Sequence, residues 1–466
     1  MKVLTRLLLS LALVVLLVGC SDSRQPVDDS SDSSATAALN APDDSAPPQD
    51  HVLYALHLIQ AFYVAVPNTN TLLKAAWDGA IGAAKEDFTP PASVQFHAAS
   101  DRSASEKAFA SSMQSLMAQA PRSLDPGRVM QAAVDAMAKS LQDDHTYFMD
   151  AEAYKLYLAN ETVGLSFSGV TRDDGLLSWY VYQDGPADKA GLRPGDLILS
   201  IDGKSAAKVE DKDKETNDPS PFKAGVPVKL AIDRPGVSGA LEVSATPQRS
   251  QRRILDWRVI GDIGYLRLYR FPPPTLMMPD GQALPAYLDS ALADLKRQGV
   301  KGLVLDLRND PGGSEVIAAN VAGRLGYSGA LVENRRRSGP GATIDAVGDS
   351  GIDGLPLAVL VNENSASSSE LVASSLQQQG LARLFGRTSA GIVNTARVWS
   401  VAGGGLFITT EKAFAGPGRK YLDQGGVTPD VSVELDRAAL ASGHDNQLEA
   451  ALAWLDSRTP APLGGR

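Results

Sequence analysis

The chain has 466 residues, 44% of them hydrophobic and 21% charged, which is ordinary globular content with material for two or three domains and a large core. A formal charge of −10 and an isoelectric point near 5.1 argue against a nucleic-acid backbone as partner and weigh weakly against acidic substrates. One cysteine leaves no internal disulfide, and the five histidines show no metal-ligand spacing, so neither a metal nor another cofactor is expected.

The N-terminus reads as a signal peptide over residues 1–20: a basic "MKVLTR", a short apolar "LLLSLALVVLLV", then "LVGC" ending in Cys20. The stretch resembles a bacterial lipobox. That resemblance implies lipidation of Cys20 after cleavage, hence a membrane anchor facing the periplasm, and Ser21 behind it points to the outer membrane by the enteric sorting pattern. The alternative is a plain secretory signal in which Cys20 has no role. Residues 21–50 are Ser, Asp, Pro and Ala with almost nothing to bury, and are expected to be a solvated tether.

Residues 51–160 carry helical periodicity in three runs, "HVLYALHLIQAFYVAV", "NTLLKAAWDGAIGAAKE" and "DPGRVMQAAVDAMAKSLQDD", the last with Asp125 as N-cap and Pro126 at the first helical position. A polar stretch near 87–122 separates them, and the whole is expected to be an N-terminal helical subdomain. Residues 161–250 are short β segments divided by turns. Within them "GPADKAGLRPGDLILSIDG" resembles the PDZ domain of bacterial processing proteases. The same resemblance makes "VGLSF", with Gly164, Leu165, Ser166 and Phe167, the carboxylate-binding loop and strand for an extended peptide added to the sheet edge. A β-domain serving only as a spacer is the competing role.

From residue 251 to 436 the pattern is βαβ: "DIGYLRLYRF", a helix ending at Gly299, "KGLVLDLRNDPGG", a second helix, the buried-strand run "PLAVLV", a serine-rich helix start and "ARLFG". Residues 437–466 are expected to be a C-terminal helix and tail. "VNENSASSSELVASSL" raises the functional question, because Ser367 to Glu370 fits a capping box and yet follows directly on a central strand. A hydroxyl there is exposed, and the helix N-terminus offers free N–H groups to an oxyanion.

"DDHTYF", the PDZ segment, "VLDLRNDPGG", "VNENSASSSELVA", "GRTSAG" and "GGVTPD", in this order, resemble the S41 peptidases, the family of C-terminal processing (tail-specific) proteases and tricorn core proteases. The resemblance implies a crotonase/ClpP-like α/β protease core with an inserted PDZ domain. It implies Ser367 as nucleophile, with oxyanion donors from the N–H of Ser368 and from Gly312 or Gly313. For the glycines the other reading is a simple turn.

One position departs from that pattern. Processing proteases of the family carry a general-base lysine 25 residues after the nucleophile, where this chain has Ile392, and no lysine occurs from Gly302 to Glu411. His145 in "DDHTYF" stands where tricorn-type members carry a catalytic histidine, and an imidazole suits proton abstraction at neutral pH. An acidic residue, Asp423 or Glu370, would orient it. His145 as a polar helix-end residue, Asp423 as a turn former and Glu370 as a cap are the competing roles. The expectation is a lipid-anchored serine endopeptidase acting on unfolded or tail-exposed polypeptides, with a pseudoprotease that binds peptides as the rival reading.

Overall fold

A computed structural model describes residues 40–43, 45–207, 222–352 and 354–458, so Cys20 and most of the tether lie outside the described residues. None of the described helices is long and apolar enough to cross a membrane.

The centre is a six-stranded sheet ordered Leu255–Ile260, Ile263–Leu268, Gly302–Asp306, Leu357–Val361, Ala382–Gly386, Val431–Ser432. The first pair is antiparallel and every later pairing is parallel. Its central strands Gly302–Asp306 and Leu357–Val361 are buried at every position and apolar but for Asp306, because both faces are covered, as parallel strands require. Leu303, Leu305, Leu357, Val359 and Val361 face one core with the helices Leu284–Arg297, Glu315–Arg324 and Ser368–Gln378. Val304, Ala358 and Leu360 alternate to the other side, where Ala451 and Leu455 of the helix Asn446–Arg458 cover them. The C-terminal helix is therefore part of the core and not an appendage.

A second sheet is built around the long strand Gly404–Ala415, with Ala330–Arg336, Gly339–Asp345, Asn394–Val401 and Lys420–Tyr421. The N-terminal subdomain contributes its own strand, Tyr147–Met149, antiparallel to Gly404–Ala415 with Tyr147 opposite Phe407. This pairing fixes the loop that carries His145. That subdomain holds Pro48–Phe62, Thr69–Lys85, Arg102–Gln119 and Pro126–Lys139. The helix Arg102–Gln119 corrects the reading of 87–122 as a polar separator. Its inward face is only Ser105, Phe109, Met113 and Leu116 among Ser, Ala and Gln, too sparse for a clear 3.6-residue period, while Asp101 caps it through Ala104 N–H.

The described residues 167–207 and 222–245 form the β-rich domain, ordered Phe167–Arg172, Gly175–Val181, Leu197–Ile201, Val228–Asp233, Leu241–Ala245. It is entered and left through a two-stranded ribbon, Glu161–Gly164 against Gln248–Gln251. The strand Phe167–Arg172 is an edge of this sheet, and that edge faces the core: the Asn309 and Asn364 carboxamides donate to Gly169 O at 2.8 and 3.4 Å.

Candidate active site

The turn that carries Ser367 follows from the strand Leu357–Val361. After it the chain folds back on itself, Ser365 N–H donating to Asn362 O and Ser365 Oγ to Leu307 O at 2.8 Å. The helix Ser368–Gln378 then starts with Ser367 as N-cap. Of the serines in this run, Ser365, Ser368 and Ser369 are fully buried, whereas Ser367 is partly exposed, which singles out its hydroxyl for chemistry. Ser367 has φ +55° and ψ −119°, a backbone conformation that costs a residue with a side chain roughly 1–3 kcal/mol and must be held by its surroundings.

The holding groups are plain. Ser367 N–H reaches both Ile392 O at 2.9 Å and Glu370 Oε2 at 3.0 Å. Glu370 is completely buried, and its carboxylate also accepts from Ser389 Oγ, Gly391 N–H and Ile392 N–H. Burial raises its pKa and these donors oppose the rise. Glu370 is thus not the acid that orients His145. It clamps the nucleophile turn to the loop 389–392, with Ser389 bridging onward to Val427 N–H at 2.6 Å. Ile392, at the lysine's place, lies against the nucleophile turn through its backbone.

The glycine turn meets the same spot. Gly312 and Gly313 have φ +89° and +137°. A Cβ on Gly312 would come within 2.7 Å of Ser367 Cβ and 2.8 Å of Ser368 N, and one on Gly313 within 2.0 Å of Phe271 O, so both positions exclude side chains. Gly312 drops out as an oxyanion donor, because its N–H donates to Asp310 Oδ1 at 2.8 Å. Among the described residues, the N–H groups of Gly313 and Ser368 have no acceptor, and Ser368 Oγ donates to Gly313 O at 2.8 Å, tying the two turns together. Asp310 strengthens the joint, its carbonyl accepting from Ala366 N–H and Ser369 Oγ, both at 3.0 Å.

Asp310 was not singled out from sequence, although it is the one acid inside "NDPGG". It is wholly buried, Oδ2 has no partner among the described residues, and burial pushes its carboxyl up to about 8.

His145 lies on the other side of the turn. Its backbone N–H donates to Asp143 Oδ1, and Thr146 Oγ1 joins Asp143 Oδ2 to Thr409 N–H. Its Nε2 accepts from Asn394 N–H at 3.4 Å, two residues beyond the Ile392 that holds Ser367. No hydrogen bond joins His145 to Ser367 in this arrangement. Nε2 as acceptor places the proton on Nδ1, which is buried and without a partner among the described residues. Burial pulls the imidazole below its usual pKa, against the charges of Asp143, Asp423 and Asp144. Asp423 stands nearby, its Oδ1 accepting from Val393 N–H at 3.4 Å and its Oδ2 from the Tyr421 hydroxyl at 3.1 Å.

In the β-rich domain, Leu165 is buried with its carbonyl accepting from Ala187 N–H, and Ser166 has φ +61° with its carbonyl taking Tyr182 N–H. Gly164 ends the ribbon, and Phe167 begins the edge strand.

A partly exposed serine at a strand-to-helix turn, two free amides beside it and an imidazole one loop away describe a serine hydrolase site on an α/β scaffold. Residues 262–433 match the peptidase family S41, and residues 180–213 match a PDZ domain. The carboxy-terminal-processing protease of Bartonella bacilliformis is 32% identical over 329 residues, covering 69% of this chain and 73% of that protein. A Staphylococcus aureus protein named "Probable CtpA-like serine protease" is 28% identical over 319 residues, covering 66% of this chain and 61% of its own length. Among solved structures, the photosystem II D1 C-terminal processing protease aligns with TM-score 0.52 at 22% identity, over 85% of this chain and 97% of that one, a likeness of fold. The chain belongs to peptidase family S41, a family of serine-type peptidases.

Proposed function

We propose that the chain is a lipid-anchored endopeptidase that hydrolyses unfolded or tail-exposed polypeptides through an acyl-enzyme on Ser367, with His145 as base. The observation that carries this is the convergence at Ser367 of two unclaimed amides, Ser368 and Gly313. As the Ser367 hydroxyl attacks a peptide carbonyl, the developing oxyanion takes these donors, the electrostatic contribution on which such catalysis chiefly depends. His145 takes the hydroxyl proton and returns it to the leaving amine, with the charges of Asp143 and Asp423 supporting the imidazolium and Asp423 taken as the orienting acid. For this the imidazole leaves Asn394 N–H and turns toward Ser367, a tightening expected on substrate binding. The PDZ domain is assigned to recruitment. Its edge strand engages Asn309 and Asn364, so a peptide added there has to displace those carboxamides.

The test is incubation of the full chain with denatured proteins beside Ser367→Ala, with cut sites mapped by mass spectrometry. Cleavage by both alike would end the assignment of Ser367. Anchoring at Cys20 and a periplasm-facing, outer-membrane place are checked by labelled palmitate, which should enter the parent and not Cys20→Ala. The rival reading, a peptide-binding pseudoprotease, draws on Ile392 in the lysine's place and on the absence of a Ser367–His145 hydrogen bond. It prevails if the parent binds peptides and cuts none.

A further inference from the structure

Two arginines beside the site form no ion pair among the described residues, and the one carboxylate whose charge bears on Arg270 is the buried, largely protonated Asp310. Arg270 directly precedes Phe271, whose N–H donates to Gly312 O and whose carbonyl accepts from Ser314 N–H, so it sits at the root of the oxyanion turn. Its Nη1 donates to Asn160 Oδ1 at 3.2 Å, its guanidinium lies 5.8 Å from the Tyr157 ring centre, and its Nε is buried without a partner among the described residues. Arg252 donates from Nε to Glu161 O at 2.9 Å, and its terminal nitrogens bond to none of the described residues. No carboxylate among the described residues forms an ion pair with either side chain, and the Arg270 charge, added to burial, pulls Arg252 down to about 10. Buried Arg267 is likewise without an ion pair but lies over the Trp179 and Tyr269 rings at 4.5 and 4.4 Å, and other arginines are paired with acids. Arg308 is paired with Asp306 and Asp445 at 2.7 and 2.8 Å, and Arg234 with Asp196 at 2.7 Å.

Two like charges brought together and half out of water, with donors to spare, are unfavourable unless an anion joins them. A planar guanidinium with free N–H groups matches a carboxylate in both shape and charge. The surroundings say whose carboxylate. Tyr147, whose phenol senses both arginine charges, follows His145 by two residues, and Asn160 with Arg252 forms the root of the ribbon leading to the PDZ domain. Arg270 leads to the oxyanion turn. The two arginines thus meet at Asn160, between the ribbon to the PDZ domain and the glycine turn beside Ser367.

We propose that Arg270 and Arg252 form a carboxylate-binding site that holds an acidic group of the bound peptide, either its C-terminal carboxylate or an Asp or Glu side chain, beside the oxyanion turn. This site is separate from the PDZ carboxylate loop. It rests on the peptidase reading only in taking a peptide as ligand, so binding is the readout and Ser367→Ala is present throughout.

The experiment measures fluorescence anisotropy of short N-terminally labelled peptides on the full chain. One pair differs as free acid against C-terminal amide, a second pair as internal Glu against internal Gln. The acid member of at least one pair should bind more tightly, and Arg270→Gln should weaken that member by roughly ten- to a hundredfold, the worth of a charge-assisted hydrogen bond, leaving its neutral counterpart little changed. Arg270→Lys should keep part of the preference, since it retains charge but not the fork. Whichever pair discriminates identifies the group held. Equal binding of acid and neutral members by the parent overturns the proposal. So does a preference that survives both Arg270→Gln and Arg252→Gln, which would place it in the PDZ loop. Should Arg270→Gln fail to fold, as judged by circular dichroism, Arg252→Gln alone decides, because its terminal nitrogens bond to no described residue. Acid-peptide binding of this kind, together with no cleavage by the parent chain that keeps Ser367, would sink the endopeptidase reading and leave this one standing.

Discussion

Replacing Asp310 by asparagine should change how the stability of this protein depends on pH. The carboxyl is wholly buried, Oδ1 accepts from Gly312 N–H at 2.8 Å, and Oδ2 has no partner among the described residues. Burial raises its pKa from 3.8 to about 8, against Gly312 N–H and the charges of Arg270 and Arg267. The native state therefore keeps a proton that the unfolded chain releases. The stability linked to that proton is whole below the unfolded value, falls as pH rises, and levels off above about 8. At about 1.4 kcal/mol per pH unit, the loss between pH 5 and pH 8 is roughly 4 kcal/mol. Asparagine retains an acceptor for Gly312 and does not titrate. Urea unfolding of parent and Asp310→Asn at pH 5, 6.5 and 8 should show the variant gaining on the parent by about that amount across the range. Since the turn keeps its hydrogen bond, peptidase activity at pH 7 should change by only a few-fold. A difference between parent and variant that does not move with pH would refute the claim that Asp310 is held neutral.

His145→Ala should lower kcat by roughly a hundredfold or more while leaving the fold intact. Because burial lowers the imidazole pKa, the acid limb of kcat/KM should lie at or below the ordinary histidine value of about 6.5. Full activity in this variant would mean that another group is the base. Glu370→Gln should destabilise by about 2–4 kcal/mol, read by urea unfolding, since the clamp loses its charge and at least one backbone N–H faces a donor instead of an acceptor. Its kcat should fall as the Ser367 turn relaxes from φ +55°, with KM less affected. Ile392→Lys should not be needed for activity in the parent chain; cleavage that appears only in this variant would return the base to the lysine position.

The parts legible in the sequence are those whose cause is local. The alternation of Leu303, Val304 and Leu305 between two cores appears as an unbroken apolar run, which marks a strand buried on both faces. Asp125 before Pro126 marks a helix start, and a serine between a buried strand and a glutamate at the third helical position marks the turn of the proposed nucleophile. The family resemblance carried Ser367, Ser368 and the glycine turn.

What the sequence left open depends on partners far along the chain. Whether Glu370 orients a base or clamps a turn is decided by Ser389, Gly391 and Ile392, about twenty residues away, and by the absence of histidine from that set. Of the adjacent glycines, Gly312 is spent on Asp310 and Gly313 is not, a matter of which way each peptide plane faces. The helix Arg102–Gln119 buries a single thin row, too weak a pattern to register until neighbouring helices cover it. Arg252 and Arg270 are ordinary arginines in the sequence. Packing alone brings the two charges together, with no acid among the described residues in an ion pair with either. Local pattern reports what a residue can do, and which of its partners arrive is set by chain closure over tens to hundreds of residues, so tertiary structure alone assigned these roles.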